Sequence, residues 1–323
     1  MTIGAVISRA HPELEVERSV RARLYGERSV VTRLPAPYRP RRPGPGDLFG
    51  GRYRLLECVG VGGMATVYRA WDERLKRDVA VKVIAEHLIR DPLSVRRFRA
   101  EAELAAHLVH PNVVAVLDAG VVPRDFIVME FVDGVDAGTL QRRARLTPWQ
   151  AVHVVAQVCD ALGYVHGQGV VHHDVAPRNI LIRRPDGTAK LADFGLASAA
   201  ARGVASGVRD VMGTPGYVAP EILGGARPSP RSDLYSVGVV AYRLLAAPSG
   251  MRARDPKATV PQVTAAPRMP PLAEVCPELP GHLTEAVDQA MARDPGARQA
   301  SVGQFCAQLV ESAPPRLELA GAA

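Results

Sequence analysis

The feature that most constrains this fold is a change of hydrophobic rhythm near Thr147-Pro148. Before it, apolar residues come in short runs bounded by glycine and charged residues: Arg52–Val59, Asp78–Ile84, His110–Leu117 and Phe126–Val132. Such runs read as strands, with Phe98–Leu108 as a helix among them. After it, residues 148–167 place Val152, Val155, Val158, Cys159, Leu162 and Val165 on or near one helical face. Thr147 suits the N-cap and Pro148 the first helical position. An α+β chain follows, with a strand-rich first part and a helix-rich second part.

Length and charge narrow the class. The 323 residues suffice for one large unit or two lobes. A net charge of +7 suits an acidic partner, and nucleic acid is the first candidate. The arginines are scattered, however, with few aromatic residues beside them to stack bases, so a solvated basic surface is expected and no nucleic-acid partner. Cys58, Cys159, Cys276 and Cys306 show no paired spacing for zinc or redox chemistry and are expected to be reduced thiols. No apolar run reaches the roughly 18 residues of a membrane span, and no secretory signal opens the chain, so a cytoplasmic protein is expected. Residues 1–47 end in a Pro- and Gly-rich stretch and read as a basic tail and linker. Residues 311–323 read as a C-terminal tail.

Several segments carry possible chemistry. Gly60, Gly62 and Gly63 sit between two strand-like runs, where backbone N–H groups can approach a phosphate chain closely. Strands on both sides exclude a dinucleotide fingerprint, whose glycines open a helix, and the P-loop lysine is missing. Lys82, alone among apolar neighbours, either snorkels to solvent or faces a polyanion. Glu101 is spaced to meet it, or is a surface charge. The stretch Val170–Asn179 carries Asp174 and Asn179 five positions apart in a non-periodic segment framed by apolar residues. A turn can use both for its own hydrogen bonds; alternatively, they can converge on a substrate.

Taken in order, these segments resemble the signature set of the protein kinases, in particular the bacterial serine/threonine kinases of eukaryotic type. The set comprises Gly60-x-Gly62-Gly63 with Val67, Val79-Ala-Val-Lys82, Glu101, His172-x-Asp174 with Asn179, and Asp193-Phe-Gly195. It continues with Gly213-Thr-Pro-Gly-Tyr217, Ala219-Pro-Glu221, Asp233 to Gly238, and Asp294-Pro with Arg298. The resemblance implies a bilobal kinase fold over residues 53–310, with a small strand-rich N-lobe (53–132) and a large helical C-lobe (135–310). It also implies ATP and Mg2+ as cofactors and protein substrates, including the chain itself; a homodimer is compatible with it.

The resemblance assigns roles by position. Lys82 would bind the α and β phosphates of ATP and Glu101 would hold it in place. Asp174 would accept the proton of the substrate hydroxyl, and Asp193 and Asn179 would hold metal ions. Val59, Gly60, Val61, Gly62, Gly63, Val67 and Ala80 would line the nucleotide site, with Met129, Glu130 and Val132 as the hinge. His172 and Phe194 would be packing elements, and Glu221 with Arg298 an internal ion pair.

Three departures bear on activity. The lysine expected two positions after the base is Ala176, while Arg178 stands four positions after it, as in tyrosine kinases; Arg178 either replaces the lost charge or is a solvent arginine on a degraded loop. His173 replaces the arginine before the base, which in the family pairs with a phosphorylated loop. Residues 247–256 replace a Pro-Phe turn, and 256–280 are proline-rich. Two other readings of the residues are a pseudokinase that signals by conformation and a small-molecule phosphotransferase of the aminoglycoside kinase type. Gly213–Tyr217 and Ala219–Glu221, features of a protein-substrate platform, argue against the latter.

Overall fold

A computed structural model describes residues 43–143, 146–194, 214, 216–247 and 269–311. Among them are strands β1 (Leu48–Phe49), β2 (Tyr53–Val61), β3 (Ala65–Asp72) and β4 (Arg77–Ile84), then helix α1 (Pro92–Ala106), β5 (Val116–Gly120) and β6 (Phe126–Glu130). The strands form one sheet in the order β1-β2-β3-β4-β6-β5, with every neighbouring pair antiparallel. Two-residue alternation splits its side chains between the faces. Val79, Val81 and Val83 of β4 join Phe49, Tyr53, Leu55, Tyr68 and Phe126 in one apolar cluster. On the other face, Ile84 packs with Ala65 and Ile127 against Phe98 and Ala102 of α1. Lys82 belongs to that second face, which is why its side chain meets α1.

The second lobe opens with β7 (Gly134–Asp136), the short α2 (Ala137–Arg142) and the long α3 (Pro148–Gly167). Strands β8 (Ile180–Arg183) and β9 (Ala189–Leu191) complete a three-stranded sheet, β7-β8-β9. A Cβ on Gly134 would stand 1.9 Å from the Ile182 carbonyl oxygen, so only glycine lets β7 lie against β8. Helices α4 (Pro220–Leu223), α5 (Pro230–Ala246), α6 (Leu272–Val275), α7 (Gly281–Ala290) and α8 (Val302–Val310) follow. The core of this lobe joins α3, α5, α7 and α8 through residues such as Val155, Leu162, Val240, Leu283 and Phe305.

α3 runs as the sequence indicates. Thr147 and Gln150 form a reciprocal capping box, with Thr147 Oγ1 accepting from Gln150 N and Gln150 Oε1 accepting from Thr147 N. Two stretches differ from their sequence reading. α1 begins at Pro92, six residues before Phe98, because Asp91 caps it by accepting from Leu93 N and Ser94 N. His110–Leu117 is a strand only from Val116. Its earlier part is buried as a connector: Leu191 N donates to Asn112 O and Val114 N to Leu191 O, leaving no ladder over those residues. The end of the linker also belongs to the fold, since Gly46 N donates to Leu55 O and Tyr68 Oη to Pro43 O.

Candidate active site

The strand register brings together the residues expected to line a nucleotide site. Gly60 on β2 lies opposite Val67 on β3, Val67 opposite Lys82 on β4, and Ala80 opposite Met129 on β6. Directly opposed residues share a face, so Val67 lies on the face of Lys82, and Met129 on that of Ala80. Past Gly60 the chain turns tightly, with Gly62 N donating to Ala65 O at 2.9 Å, and Val59 and Val61 are exposed along this rim. At the hinge, Glu130 is anchored from behind. Its Oε1 accepts from Lys190 Nζ at 2.7 Å and from Ala115 N at 2.8 Å. Val132 follows two residues on and is half-buried.

Lys82 is buried and does not snorkel. Its Nζ donates to Glu101 Oε1 at 2.5 Å and to Asp193 Oδ1 at 3.1 Å. Burial by itself would lower the Lys82 pKa, but the Glu101 and Asp193 carboxylates outweigh it and hold the ammonium above the usual lysine value. The lysine is therefore a fixed positive charge. It links α1 of the first lobe to Asp193 of the second.

Asp174 sits in a short polar cage. Arg178 Nη2 donates to its Oδ2 at 2.7 Å, and Asn179 Nδ2 to the same oxygen at 2.9 Å. Thr214 donates to the other oxygen, Oδ1, from both its N and its Oγ1 at 2.8 Å. A single 3-10 turn, Pro177–Asn179, brings Arg178 and Asn179 back toward Asp174. Ala176 is fully buried at the start of that turn. β8 and β9 then carry the chain out and back, so that Ala192 N donates to Asn179 O at 2.8 Å. That hairpin sets Asn179 and Asp193 at neighbouring ends of one sheet, two oxygen-bearing side chains of the kind Mg2+ takes.

The loop before Asp174 is held from below by Asp233, near the start of α5. Its Oδ2 accepts from His172 N at 2.8 Å and from His166 Nε2 at 2.8 Å, and its Oδ1 from His173 N at 2.9 Å. His173 and Asp193 both adopt left-handed backbone, with φ of 71° and 69°. Non-glycine residues adopt that conformation uncommonly, and in a buried loop the surroundings hold them there. Burial lowers the His173 pKa against the opposing pull of Asp233, so this ring is neutral at physiological pH. His172 packs on Phe194 with ring centroids 4.7 Å apart. Arg298 binds Glu221 with two hydrogen bonds of 2.7 Å, as the sequence indicates. Gly195, Gly213, the only two hydroxyl residues of the stretch 197–212 (Ser198 and Ser206) and most of 247–268 lie outside the described residues.

Thr214, Asp233 and Lys190 have roles that residue patterns did not assign. The first two fall within quoted motifs, but no spacing says that they reach Asp174 or its loop. Lys190, in Ala-Lys-Leu, carries no signal at all.

Comparison with known proteins matches residues 53–311 to the Protein kinase domain. The chain belongs to the protein kinase family. Among its relatives, the serine/threonine-protein kinase PknJ of Mycobacterium tuberculosis is 40% identical over 266 residues, covering 80% of this chain and 45% of the relative. PknA of the same organism is 39% identical over 272 residues, covering 81% and 62%. This kinase chain thus spans about half the length of such relatives. The crystal structure of the Mycobacterium tuberculosis PknI kinase domain superposes with a TM-score of 0.65 at 29% identity, covering 84% of this chain and 99% of that one. The bilobal kinase fold is therefore shared. Among the described residues, no helix is long and apolar enough to cross a membrane.

Proposed function

We propose that the chain is an ATP-dependent serine/threonine protein kinase, moving the γ-phosphoryl group to a hydroxyl of a protein substrate. The observation that carries this reading is the convergence of two constellations: Lys82 with Glu101 and Asp193, and Asp174 with Asn179, each within hydrogen-bond distance. Phosphoryl transfer needs little more than aligned groups and compensated charge. Lys82, kept cationic and held by Glu101, binds the α and β phosphates. The turn from Gly60 to Gly63 covers them, and the hinge from Met129 to Val132 takes the adenine edge. Asp174 orients the substrate hydroxyl and accepts its proton. Asp193 and Asn179 fit Mg2+ through their side-chain oxygens; a cation there neutralises phosphate charge.

Arg178 stands in for the lysine that Ala176 replaces. It is more than half exposed while it donates to Asp174, so a cation stands at the solvent side of the proposed base. The deciding experiment is incorporation of labelled γ-phosphate from Mg-ATP into the chain and into a generic protein substrate, with Asp174→Asn as control. We expect the variant to lose about 10²- to 10⁴-fold in rate, the range for a positioned general base. No transfer by the unaltered chain, together with nucleotide binding, would replace this reading with that of a pseudokinase.

A further inference from the structure

Several arginines of this fold are matched to a carboxylate. Arg298 grips Glu221, Arg52 grips Asp72 and Arg69 reaches Asp78. Arg243, near the end of α5, is different. Its guanidinium carbon lies 4.3 Å from the centre of the Tyr217 ring, and Nη2 donates to Gly216 O at 3.3 Å. Its Nε is buried without an acceptor, and no carboxylate among the described residues pairs with it. With five donors and, among the described residues, one long hydrogen bond, this half-buried cation can take an anion.

The position of that site matters. Gly216 has φ of 87°, and a Cβ on it would come within 3.0 Å of Arg243 Nη2, so glycine here lets the guanidinium reach the backbone. Two residues earlier, Thr214 is bonded to Asp174 through both N and Oγ1. Two residues of chain span at most about 7 Å, which puts Arg243 on the order of 10 Å from the group read here as the base. An extended substrate advances about 3.3 Å per residue, so a side chain roughly two to four positions from the acceptor hydroxyl comes within reach.

We infer that Arg243 is a specificity-determining residue that recruits substrates with an acidic side chain, Asp or Glu, close to the acceptor serine or threonine. The inference deepens the kinase reading and rests on it. Contact with the Tyr217 ring holds the guanidinium in place in advance, and the geometry of arginine favours a carboxylate held by two hydrogen bonds. The net charge of +7 adds a long-range preference of the same sign.

The test uses the full chain and three serine peptides that differ only near the acceptor: neutral, one Glu, or one Arg, with Glu and Arg each scanned over two to four positions on either side. For the unaltered kinase, kcat/KM should favour the best Glu peptide over the neutral one by about tenfold or more. Arg243→Glu should invert the order, so that an Arg peptide becomes a better substrate than the Glu peptide. A Glu preference of equal size in both proteins overturns the inference and leaves Arg243 as a brace for Tyr217. Should Arg243→Glu fail to fold, Arg243→Gln replaces it: loss of the Glu preference supports the inference and its retention overturns it. Transfer to the neutral peptide with no charge preference sinks this inference alone, whereas no transfer to any peptide sinks the kinase reading beneath it.

Discussion

Around Asp174, single residues decide whether the chemistry survives. Ala176 stands where the family pattern has a cation, and in the reading proposed above Arg178 returns one from two positions further along, donating to Asp174 Oδ2 at 2.7 Å. The 3-10 turn over Pro177–Asn179 makes the return geometrically possible. Because this hydrogen bond is charge-assisted, Arg178→Ala should lower kcat/KM roughly 10- to 100-fold, from the 1.5–3 kcal/mol such bonds contribute. Steady-state transfer rates to one peptide substrate check it, and an unchanged rate would show Arg178 to be a solvent arginine. The sequence displayed the missing lysine plainly, since residue identity at a motif position needs no structure. Whether Arg178 pointed to the base or to water was not legible, because that depends on a turn whose register periodicity does not report. Lys82 shows the same limit. Its apolar neighbours by themselves favoured snorkelling, and only the packing of α1 against its face of the sheet decides for burial.

At the scale of elements, α5 acts as the foundation of the loop that carries Asp174. Asp233 accepts from two consecutive backbone amides of that loop and from His166 on α3, so one carboxylate ties three segments together. Burial alone would raise its pKa, but the His166 hydrogen bond and charge, with further help from His172, hold it below the ordinary carboxylate value. The sign follows from linkage. A carboxyl whose folded pKa is depressed contributes fully above its unfolded value of about 3.9, and that contribution fades as pH falls through the folded pKa. Asp233→Asn should therefore cost about 1–3 kcal/mol at pH 7, or roughly 3–10 °C in Tm, with the gap to the unaltered protein narrowing below about pH 4. Thermal denaturation of both proteins between pH 7 and pH 3 measures that gap; a gap constant across the range would mean the carboxylate charge is not what anchors the loop. Strands and α3 were legible because their apolar spacing and the Thr147 cap are local signals. The His110–Leu117 run misled because burial produces the same apolar pattern in a connector as in a strand, while the hydrogen bonds that separate the two come from Leu191, more than 70 residues away.

Across the whole molecule, the two lobes meet chemically at Lys82, which bridges Glu101 of α1 and Asp193 beyond β9. Without nucleotide, that lysine compensates both carboxylates. Phosphate oxygens arriving at Lys82 would draw it from Asp193, leaving that carboxylate, nearly half exposed, facing more negative charge. A divalent cation at Asp193 and Asn179 relieves the repulsion, so nucleotide and metal should bind as partners whose affinities depend on each other. The expectation is measurable without any turnover. ATP with Mg2+ at about a hundred times its Kd should stabilise the fold by about 2.7 kcal/mol, seen as a rise of roughly 5–10 °C in Tm. Chelating the metal should remove most of that rise. Asp193→Asn should abolish the dependence on metal while allowing a smaller, metal-independent shift, because Lys82 keeps Glu101 as a partner and remains charged. Equal shifts with and without Mg2+ in the unaltered protein would mean that Lys82 manages the phosphates alone, and that Asp193 serves this kinase as a counter-ion for lysine and not as a metal ligand.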